Sequence, residues 1–440
     1  MRAVRLGSRP SGLVILEQPV SLDKSDRAHR YSVLDIRHLV VRPPDVHPGQ
    51  ANGVIGVAHQ LVREQRGAGE HAQLIMIAHA GLSSDAADLV PDPSVPTTMV
   101  PLKGMAVRGR VVRLSQDVIE TLLSGSGRNT IFHIHGGREP LLAGVARALR
   151  RRGVPYAVTL HGRFSHIYDA DGRCQKPRSA LYAKLVERGM LQGARFVQAL
   201  SAHEAAVLRR IAPGARIEIV GNGAYSSGFG SLPVRPAARP PSASFPHFVF
   251  CGRYAIPHKG LDLLVEGFAR YRRQGGVGRL TTIGSGPGRD ELLAMAQSLG
   301  VADAAGFGGP LFGEARDVAL RACDFFIMAS RFEGIPLAAL EAALLGMPLM
   351  VTVGTGLRAE VEAHRAGISI EATTAEAVCA AMHRAEALSS AEWRACAESA
   401  FALAIAIGDW TMIARRLHEL YEAPGRAVRS YGPRLAETSA

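Results

Sequence analysis

The chain has 440 residues, 47% of them hydrophobic and 20% charged, a composition typical of a folded, soluble protein. It is too long for one ordinary core, so we expect two domains of roughly 150 to 200 residues each. The formal net charge of +12 favours an anionic partner, but it does not choose among nucleic acid, a phosphate-bearing small molecule and an anionic membrane surface.

The cysteines and the N-terminus predict a cytoplasmic protein. The five cysteines are widely spaced, at Cys174, Cys251, Cys323, Cys379 and Cys396. They form no CxxC pair that could bind zinc or exchange disulfides. The N-terminus, MRAVRLGSRPSGLVILEQPV, lacks an apolar core of signal-peptide length. No run of about 20 uninterrupted apolar residues follows it, so we predict no membrane span.

Short apolar runs alternate with helical segments along the chain, which predicts parallel βα units. The predicted strands are 131–135, 156–160, 195–200, 247–251, 280–284, 324–329 and 348–353. Helices with apolar residues at three-to-four spacing lie between some of them, as in 140–153, 260–276 and 289–300. The expected fold is therefore α/β, with two doubly wound sheets.

Residues 226–246 are rich in Pro, Ser and Gly and show neither helical nor strand periodicity. This stretch is the best candidate for a domain boundary. Residues 1–30 and the tail after Pro424 are polar, are dotted with proline or arginine, and have little to bury, so we expect both to be poorly ordered.

One segment, SRFEGIPLAALEAALLG (330–346), contains a single carboxylate in an otherwise apolar helix. Pro336 suits a first helical turn and Gly346 suits a helix end, so we predict a helix over 336–345. Glu341 is costly to bury there unless it has partners. It either reaches solvent along a narrow stripe or lines a cleft and accepts hydrogen bonds from the hydroxyls of a ligand.

Glu333, eight residues earlier in the turn, favours the cleft, because loop and helix together can place two carboxylates at different depths of one opening. The start of the helix between them offers free N–H groups and a positive dipole end, which favour phosphate. Two hydroxyl-binding carboxylates around a phosphate site describe a site for a sugar nucleotide.

Two cations upstream fit the same ligand. In CGRYAIPHKGLDLLVEGF (251–268), Arg253 follows a strand and Lys259 precedes a helix, so the pair can converge on a diphosphate. They can equally be two surface cations. The GSGPG turn that begins at Gly284 is a weaker signal, because no complete GxGxxG pattern is present.

In combination, GRYAIPHKG, IGSGPGRDELL and DFFIMASRFEGIPLAALEAALLGMPLMVT resemble the donor half of the retaining glycosyltransferases of family 4. Glu333 and Glu341, with seven residues between them, match that family's signature. FHIHGG, YAVTLHG, QALSAHE and IVGNGAY resemble, in order, its N-terminal segments. The resemblance is strongest over 247–360, extends back to about residue 31, and implies the GT-B fold of two facing Rossmann-like domains.

The resemblance also implies roles for individual residues. Arg253 and Lys259 would neutralise the donor diphosphate, Glu333 would hold the transferred sugar, and Glu341 would bind the ribose hydroxyls. His161 would approach the sugar from the other domain. Gly53 would let the chain come near the phosphates, and the remaining donor contacts would come from Gly284, Gly334, Ile335, Pro336 and Leu337. His133 and His135 are interpreted as structural.

The domain plan carried over from the family has six parts. They are an extension (1–30), an acceptor-binding domain (31–230), a linker (231–246), a donor-binding domain (247–405), a helix crossing back to the first domain (406–423) and a tail (424–440). Pro336 departs from the pattern, since many members have glycine there and proline removes a backbone donor. The stretch 306–314 also fits poorly.

The expected reaction is transfer of a sugar, with retention, from a nucleoside diphosphate to a glycan or lipid-linked acceptor. Fixed cations and a helix N-terminus can stabilise the leaving diphosphate, so we expect no metal and no other cofactor. Asp169 and Asp171, in YDADG, form a rival DxD metal motif, although such a pair beside glycine is usually a turn.

Two other readings remain. A non-catalytic subunit that binds the sugar nucleotide would retain the site without turnover, and its support is Pro336. A nucleic-acid-binding protein is disfavoured, because aromatic residues make up only 6% and no nucleic-acid motif is present. Attachment to the inner face of an anionic membrane is compatible with the transferase.

Overall fold

The computed structural model describes residues 33–41, 53–79, 94–102, 106–108, 111–168, 172–224 and 246–423. Within them the first domain is built on a seven-stranded, fully parallel sheet with strand order β3-β2-β1-β6-β7-β8-β9. Its strands are β1 (Asp35–Val41), β2 (His71–His79), β3 (Thr97–Leu102), β6 (Thr130–His135), β7 (Tyr156–Thr159), β8 (Val197–Ala199) and β9 (Ile217–Ile219). A separate antiparallel pair, β4 (Ala106–Arg108) and β5 (Val111–Arg113), lies between β3 and β6 in sequence.

Helices connect these strands, as parallel pairing requires. They are α1 (Gly53–Gly67), α2 (Gln116–Leu123), α3 (Pro140–Arg151), α4 (Pro177–Tyr182), α5 (Arg188–Gly193) and α6 (Ala202–Ile211). A π-helical turn, Ala183–Glu187, joins α4 to α5. Every side chain of β6 and β7 is buried, which places these strands at the centre of the first core.

The second domain contains a six-stranded parallel sheet of order β12-β11-β10-β13-β14-β15. Its strands are β10 (His247–Cys251), β11 (Arg279–Ile283), β12 (Ala305–Gly308), β13 (Phe325–Met328), β14 (Leu349–Thr352) and β15 (Gly367–Ile370). Its helices are α7 (Ile256–Lys259), α8 (Leu261–Arg273), α9 (Arg289–Ser298), α10 (Gly313–Arg321), α11 (Leu337–Leu344), α12 (Arg358–His364), α13 (Ala375–Glu386) and α14 (Ser390–Gly408). Phe248, Phe325 and Leu349 are fully buried at its centre.

The two doubly wound parallel sheets predicted from the sequence are therefore confirmed, and each of the seven predicted strands overlaps an observed one. One helix differs in detail. Residues 336–345 were expected to be helical from Pro336, but α11 begins at Leu337 and Pro336 adopts an extended conformation at the N-cap position. Gly346, with φ near +71°, follows the helix, as expected for a glycine at a helix end.

The last described helix returns to the first domain. Asp409 separates α14 from α15 (Trp410–Glu422), and its Oδ1 accepts hydrogen bonds from the N–H groups of Thr411 and Met412 at 2.8 and 3.3 Å. This cap makes Trp410 the first residue of α15, which lies within the predicted crossing segment, 406–423. α15 packs on α1, and Tyr421 is buried in the first core.

The joined helices α14 and α15, Ser390–Glu422, are long and apolar enough to cross a membrane by length and composition alone. Their packing gives another reason for that composition. Trp393, Ala400 and Leu403 of α14 are buried in the second core, and the opposite end, in α15, packs on the first domain. Buried helices of globular proteins pass the same test, so this feature is weak evidence for a membrane span.

Candidate active site

Glu333 is the centre of a charged cluster between β13 and α11. One oxygen, Oε1, accepts from the Lys259 ammonium and lies 3.2 Å from His258 Nε2. Burial is the largest influence on this carboxyl and raises its pKa, but Lys259 and His258 together bring the pKa down to about 2. Glu333 is therefore ionised at neutral pH, and its Oε2 has no hydrogen-bond partner within the described residues.

Backbone hydrogen bonds hold the turn that carries Glu333. The Glu333 N–H donates to the Gly354 carbonyl at 2.7 Å, and the Gly356 N–H donates to the Gly334 carbonyl at 2.8 Å. The Thr352 hydroxyl donates to the Ser330 carbonyl at 2.6 Å. The turn after β13 is thus fixed by the turn after β14, and the start of α11 has a defined position.

Glu341 is buried and does not reach along a stripe to solvent. Its Oε2 accepts a 2.7 Å hydrogen bond from the guanidinium of Arg316 on α10, which also pairs with buried Asp317 at 3.0 Å. Burial raises the pKa of Glu341 to about 7, and Arg316 offsets only part of this effect. Oε1 of Glu341 has no partner in the part of the chain that the structure describes, so it remains available to a ligand.

Arg316 was not selected from the sequence, and it lies just after the stretch that fits the family pattern poorly, 306–314. Its partner Glu341 is 25 positions away, and only the packing of α10 beside α11 brings them together. A signal was nevertheless present, because a carboxylate buried in an apolar helix needs a cation.

The remaining donor-side predictions have different surroundings. Arg253 is exposed after β10 and makes no salt bridge to a described residue, so it is free to meet an anion. Packing explains the glycine at position 284, because a Cβ on Gly284 would lie 1.9 Å from the Gly252 carbonyl oxygen. Gly53 begins α1 and is exposed, with open space where a Cβ would be.

The first domain approaches the Glu333 turn at His161 and Gly162. Both residues have positive φ, 53° and 72°, and a Cβ on Gly162 would lie 2.7 Å from the Gly334 nitrogen. A Cβ on Gly334 would in turn lie 3.0 Å from Leu200 Cδ1, and one on Gly221 would lie 2.9 Å from Ile335 Cδ1. Strand-end turns of the two sheets therefore face each other across a narrow cleft.

Glu204 holds the first domain's side of this cleft. Its two carboxylate oxygens accept from the N–H groups of Gly162 and Leu200 at 2.7 and 2.8 Å. Burial raises the pKa of Glu204 to about 7, although both hydrogen bonds oppose the rise. We did not select Glu204 from the sequence, but its segment, QALSAHE, was recognised, and a glutamate in the first turn of a buried helix was the available signal.

An aromatic stack also spans the cleft. The Phe332 ring lies 4.5 Å from the ring of His258 in its own domain and 4.6 Å from the ring of His166 in the other. His258 also contacts Glu333, so the stack links the domain contact to the charged cluster.

Asp169 and Asp171, the rival metal motif, lie outside the described residues. Within those residues, one group has ligand atoms close enough for a metal, namely His38, His133 and His135. Their rings are nearly parallel, at 22–29° to one another, with centroids 4.4–5.3 Å apart. A metal ion lies near the plane of each imidazole that binds it, and stacked planes do not share such a point. The group suits hydrogen bonding better.

Comparison with known proteins agrees with this architecture. A family model described as "Glycosyl transferase 4-like domain" matches residues 52–223, and one described as "Glycosyl transferases group 1" matches residues 245–387. The chain belongs to this glycosyltransferase family. Its two facing Rossmann-like domains are the GT-B fold expected from the sequence.

Curated relatives of this glycosyltransferase match it over different lengths. The 2-deoxystreptamine N-acetyl-D-glucosaminyltransferase of Streptomyces fradiae is 26% identical over 338 residues, which are 71% of this chain and 77% of the relative. The mannosylfructose-phosphate synthase of Agrobacterium fabrum is 34% identical over 114 residues, 24% of this chain and 25% of the relative.

Solved structures share the fold at low identity. Sucrose-phosphate synthase from Thermosynechococcus elongatus superposes with a TM-score of 0.67 at 20% identity, covering 88% of this chain and 98% of the other. Anabaena HepE in complex with UDP superposes with a TM-score of 0.65 at 16% identity, covering 88% and 99%. These likenesses establish the fold of the glycosyltransferase and no finer property.

Proposed function

We propose that this glycosyltransferase moves a sugar, with retention of configuration and without a metal ion, from a nucleoside diphosphate to a glycan or lipid-linked acceptor. One observation carries the proposal. Glu333 and Glu341, on one turn and the helix that follows, each have one oxygen held by a cation and the other unpartnered among described residues. Such oxygens suit sugar and ribose hydroxyls, which donate hydrogen bonds.

The leaving diphosphate has three sources of stabilisation in this proposal. Arg253 is exposed and unpaired within the described chain, and Lys259 can share its ammonium between Glu333 and phosphate. The free N–H groups at the start of α11 supply the third. These groups are fixed before reaction, so charge that develops on the leaving group meets donors already in place.

The acceptor would enter from the first domain, on the side of His161 and Gly162. Departure of the diphosphate and attack by the acceptor hydroxyl would take place on the same face of the sugar, with donor phosphate receiving the proton of the hydroxyl. The near contact of Gly162 with Gly334 excludes water, which would otherwise hydrolyse the donor.

The relatives suggest which ligands to test. Their names include an N-acetylglucosaminyltransferase and GDP-mannose-dependent mannosyltransferases, and Anabaena HepE was solved with UDP-glucose. The relative that covers most of this chain acts on 2-deoxystreptamine, so an aminocyclitol belongs in the acceptor panel beside glycans and lipid-linked sugars.

We also propose a cytoplasmic location and peripheral attachment to an anionic membrane. Leu181 and Leu185 are 54% and 65% exposed at i, i+4 spacing along the helix that continues from α4 through the π-helical turn. Exposed basic residues lie beside them, namely Arg178, Lys184 and Arg188. Apolar side chains flanked by cations favour an anionic lipid surface.

The decisive experiment is calorimetric titration with UDP, GDP and ADP in the presence of a chelator, on the wild type and on Glu341→Ala. We expect one nucleotide to bind, and its affinity to fall at least tenfold in the variant, because a charge-assisted hydrogen bond to ribose is lost. Turnover of the matching nucleotide sugar then separates an enzyme from a binding subunit. If no nucleotide binds, or if the variant binds normally, the proposed donor site is wrong.

A further inference from the structure

A line of hydrogen-bonded side chains runs from His161 into the first domain. His161 Nε2 lies 3.0 Å from His135 Nδ1, and His135 Nε2 lies 2.8 Å from His38 Nδ1. His38 Nε2 lies 2.8 Å from the amide oxygen of Gln65 on α1. Only His161 is partly exposed, while the other three are buried. Each imidazole uses one nitrogen toward the cleft side and the other toward Gln65.

A second line begins at a backbone carbonyl. Gln198 Nε2 donates to the Val220 carbonyl at 2.9 Å, and the Thr159 hydroxyl donates to Gln198 Oε1 at 2.7 Å. Because the Thr159 hydroxyl proton takes part in that bond, the Thr159 oxygen accepts a hydrogen bond from His133 Nε2, 2.7 Å away. His133 Nδ1 is then an acceptor, and the Tyr421 hydroxyl, 2.5 Å away, donates to it.

The two lines end at Gln65 and at Tyr421. Burial raises the pKa of Tyr421, and an interaction with the Gln65 side chain opposes this rise. No hydrogen bond joins Gln65 to Tyr421 among the described residues, however, and Gln65 Nε2 has no partner there. The amide oxygen of Gln65 accepts from His38, which is the orientation that the 2.8 Å contact requires. We call these eight side chains the histidine network: His161, His135, His38, Gln65, Tyr421, His133, Thr159 and Gln198.

All four imidazoles are neutral. Burial lowers the pKa of His38 to about 4 and that of His161 to about 3, and it places the pKa values of His133 and His135 well below 6.5. A neutral imidazole has one donor and one acceptor nitrogen, so the direction of one hydrogen bond decides the next. The amide oxygen of Gln65 can only accept, and this end therefore sets the direction of every bond from His38 to His161.

We propose that the histidine network fixes His161 as the tautomer protonated on Nε2, with Nδ1 left as a hydrogen-bond acceptor for a substrate hydroxyl. Gln65 accepts from His38, His38 accepts from His135, and His135 accepts from His161. His135, His38 and Gln65 are therefore positioning residues. His161 Nδ1 has no hydrogen-bond partner among the residues that the structure describes.

This assignment specifies what His161 binds. A neutral acceptor nitrogen suits a hydroxyl of the sugar or of the acceptor and repels a phosphate oxygen, which brings only lone pairs. His161 therefore supplies no positive charge to the diphosphate. The hydroxyl role rests on the proposed function, whereas the tautomer is a property of the chain alone.

The first test needs no variant and no substrate. Long-range ¹H–¹⁵N correlation spectra of ¹⁵N-histidine-labelled protein at pH 7 report which ring nitrogen carries the proton, with His161→Gln used to assign the signal. We expect His161 in the Nε2–H form. An Nδ1–H form, a mixture of the two tautomers or a protonated ring would overturn the proposal, whether or not a transferase activity has been found.

The second test breaks the network at Gln65. Gln65→Met removes the acceptor of His38, so His161 should populate both tautomers, and kcat should fall roughly tenfold with unchanged nucleotide affinity. Gln65→Glu retains an acceptor oxygen and should restore the single tautomer. Gln60→Met is the control, because Gln60 is also buried on α1 and its amide nitrogen bonds Glu64 outside the network. A single Nε2–H tautomer in folded Gln65→Met would contradict the positioning role, and if that variant does not fold, the wild-type spectrum decides.

Discussion

The Arg316 guanidinium donates a 2.7 Å hydrogen bond to the Glu341 carboxylate from the neighbouring helix. Because Arg316 also contacts Asp317, one partly exposed cation serves two buried carboxylates. Burial keeps the pKa of Glu341 near 7 in spite of this pairing, so a small change in its surroundings changes its charge at physiological pH.

Arg316→Met should therefore weaken nucleotide binding by about tenfold at pH 7, because the pKa of Glu341 rises further and its ionised form is lost. Affinity should recover as the pH is raised, and in the wild type the corresponding loss should appear only as the pH falls through about 7. Calorimetry from pH 6.5 to 8.5 measures both. Arg321→Met, exposed on the same helix, is the control, and equal pH profiles for Arg316→Met and the wild type would refute the coupling.

Lys259→Met should lower both activity and stability. It leaves the Glu333 carboxylate without its ammonium partner, which we expect to cost about 2 kcal/mol of unfolding free energy at pH 7, since both side chains keep some exposure. The folded pKa of Glu333, about 2, lies below its ordinary 4.5, so this contribution is present above pH 4.5 and disappears as the pH falls through 2.

Urea unfolding of Lys259→Met and the wild type at pH 7 and pH 3 tests this sign, and the difference between them should shrink at pH 3. Lys259→Arg keeps a cation beside Glu333 and should retain most of the stability. A stability difference that is the same at both pH values would show that charge pairing is not its cause.

Gly162→Ala should separate closure from donor binding. The added methyl would lie 2.7 Å from the Gly334 nitrogen of the other domain, so the cleft should fail to close and turnover should fall by about a hundredfold or more. Nucleotide affinity should change little, because the proposed donor contacts, apart from Gly53, lie on the second domain. Gly153→Ala is a matched control with φ of +69° and no atom within 4 Å of the new methyl. Equal activity in the two variants would mean that backbone strain alone accounts for any loss.

The strands recognised from the sequence share a property that explains why others were missed. β10 and β13 are continuous apolar runs, buried on both faces, and such runs are visible without structural knowledge. β12 has the sequence AGFG, with two exposed glycines, and at the edge of the sheet it needs little apolar content. Its strand character comes from pairing with β11, a tertiary effect that local pattern does not contain.

The same distinction applies to the site. Glu333, Glu341 and Lys259 could be selected from the sequence as candidates because each lies in a short segment with recognisable spacing. Arg316 and Gln65 could not, since their partners lie 25 and 27 positions away and the fold alone brings them together. His133 and His135 were interpreted as structural, and their hydrogen bonds agree with that interpretation for His133, whereas His135 also touches His161.

Glu187→Gln should stabilise the protein at alkaline pH. Glu187 is buried, accepts from the Arg138 N–H at 2.8 Å, and has a pKa raised by burial to about 7. A folded pKa above the ordinary 4.5 means that stability is lost as the pH rises through 7. The substituted side chain cannot ionise. The free energy of unfolding of Glu187→Gln, relative to that of the wild type, should therefore grow by about 2 kcal/mol between pH 5 and pH 8.

Urea unfolding at the two pH values measures this difference. Glu120→Gln, which removes an exposed carboxylate from the same domain, should show no comparable change. A variant that is less stable than the wild type at pH 8 would show that the second carboxylate oxygen of Glu187 makes a contact worth more than its burial costs.

The exposed leucines predict membrane attachment that can be abolished without loss of chemistry. Leu181→Glu with Leu185→Glu should prevent flotation with vesicles containing anionic lipid at low salt, and should leave nucleotide binding unchanged. Val318→Glu, at a 58% exposed position in the second domain, is the control and should float as the wild type does. Failure of the wild type to bind such vesicles would remove the membrane from the proposed function.

The contact between Tyr421 and His133 joins residues 288 positions apart, one in the last described helix and one in the first sheet. On the ribosome, the first domain emerges long before α15 does, and until that helix docks His133 Nδ1 lacks its donor. A nascent or C-terminally truncated chain can thus assemble its first sheet and still leave this buried imidazole without its hydroxyl partner. The first domain therefore completes its core only when the last described helix arrives.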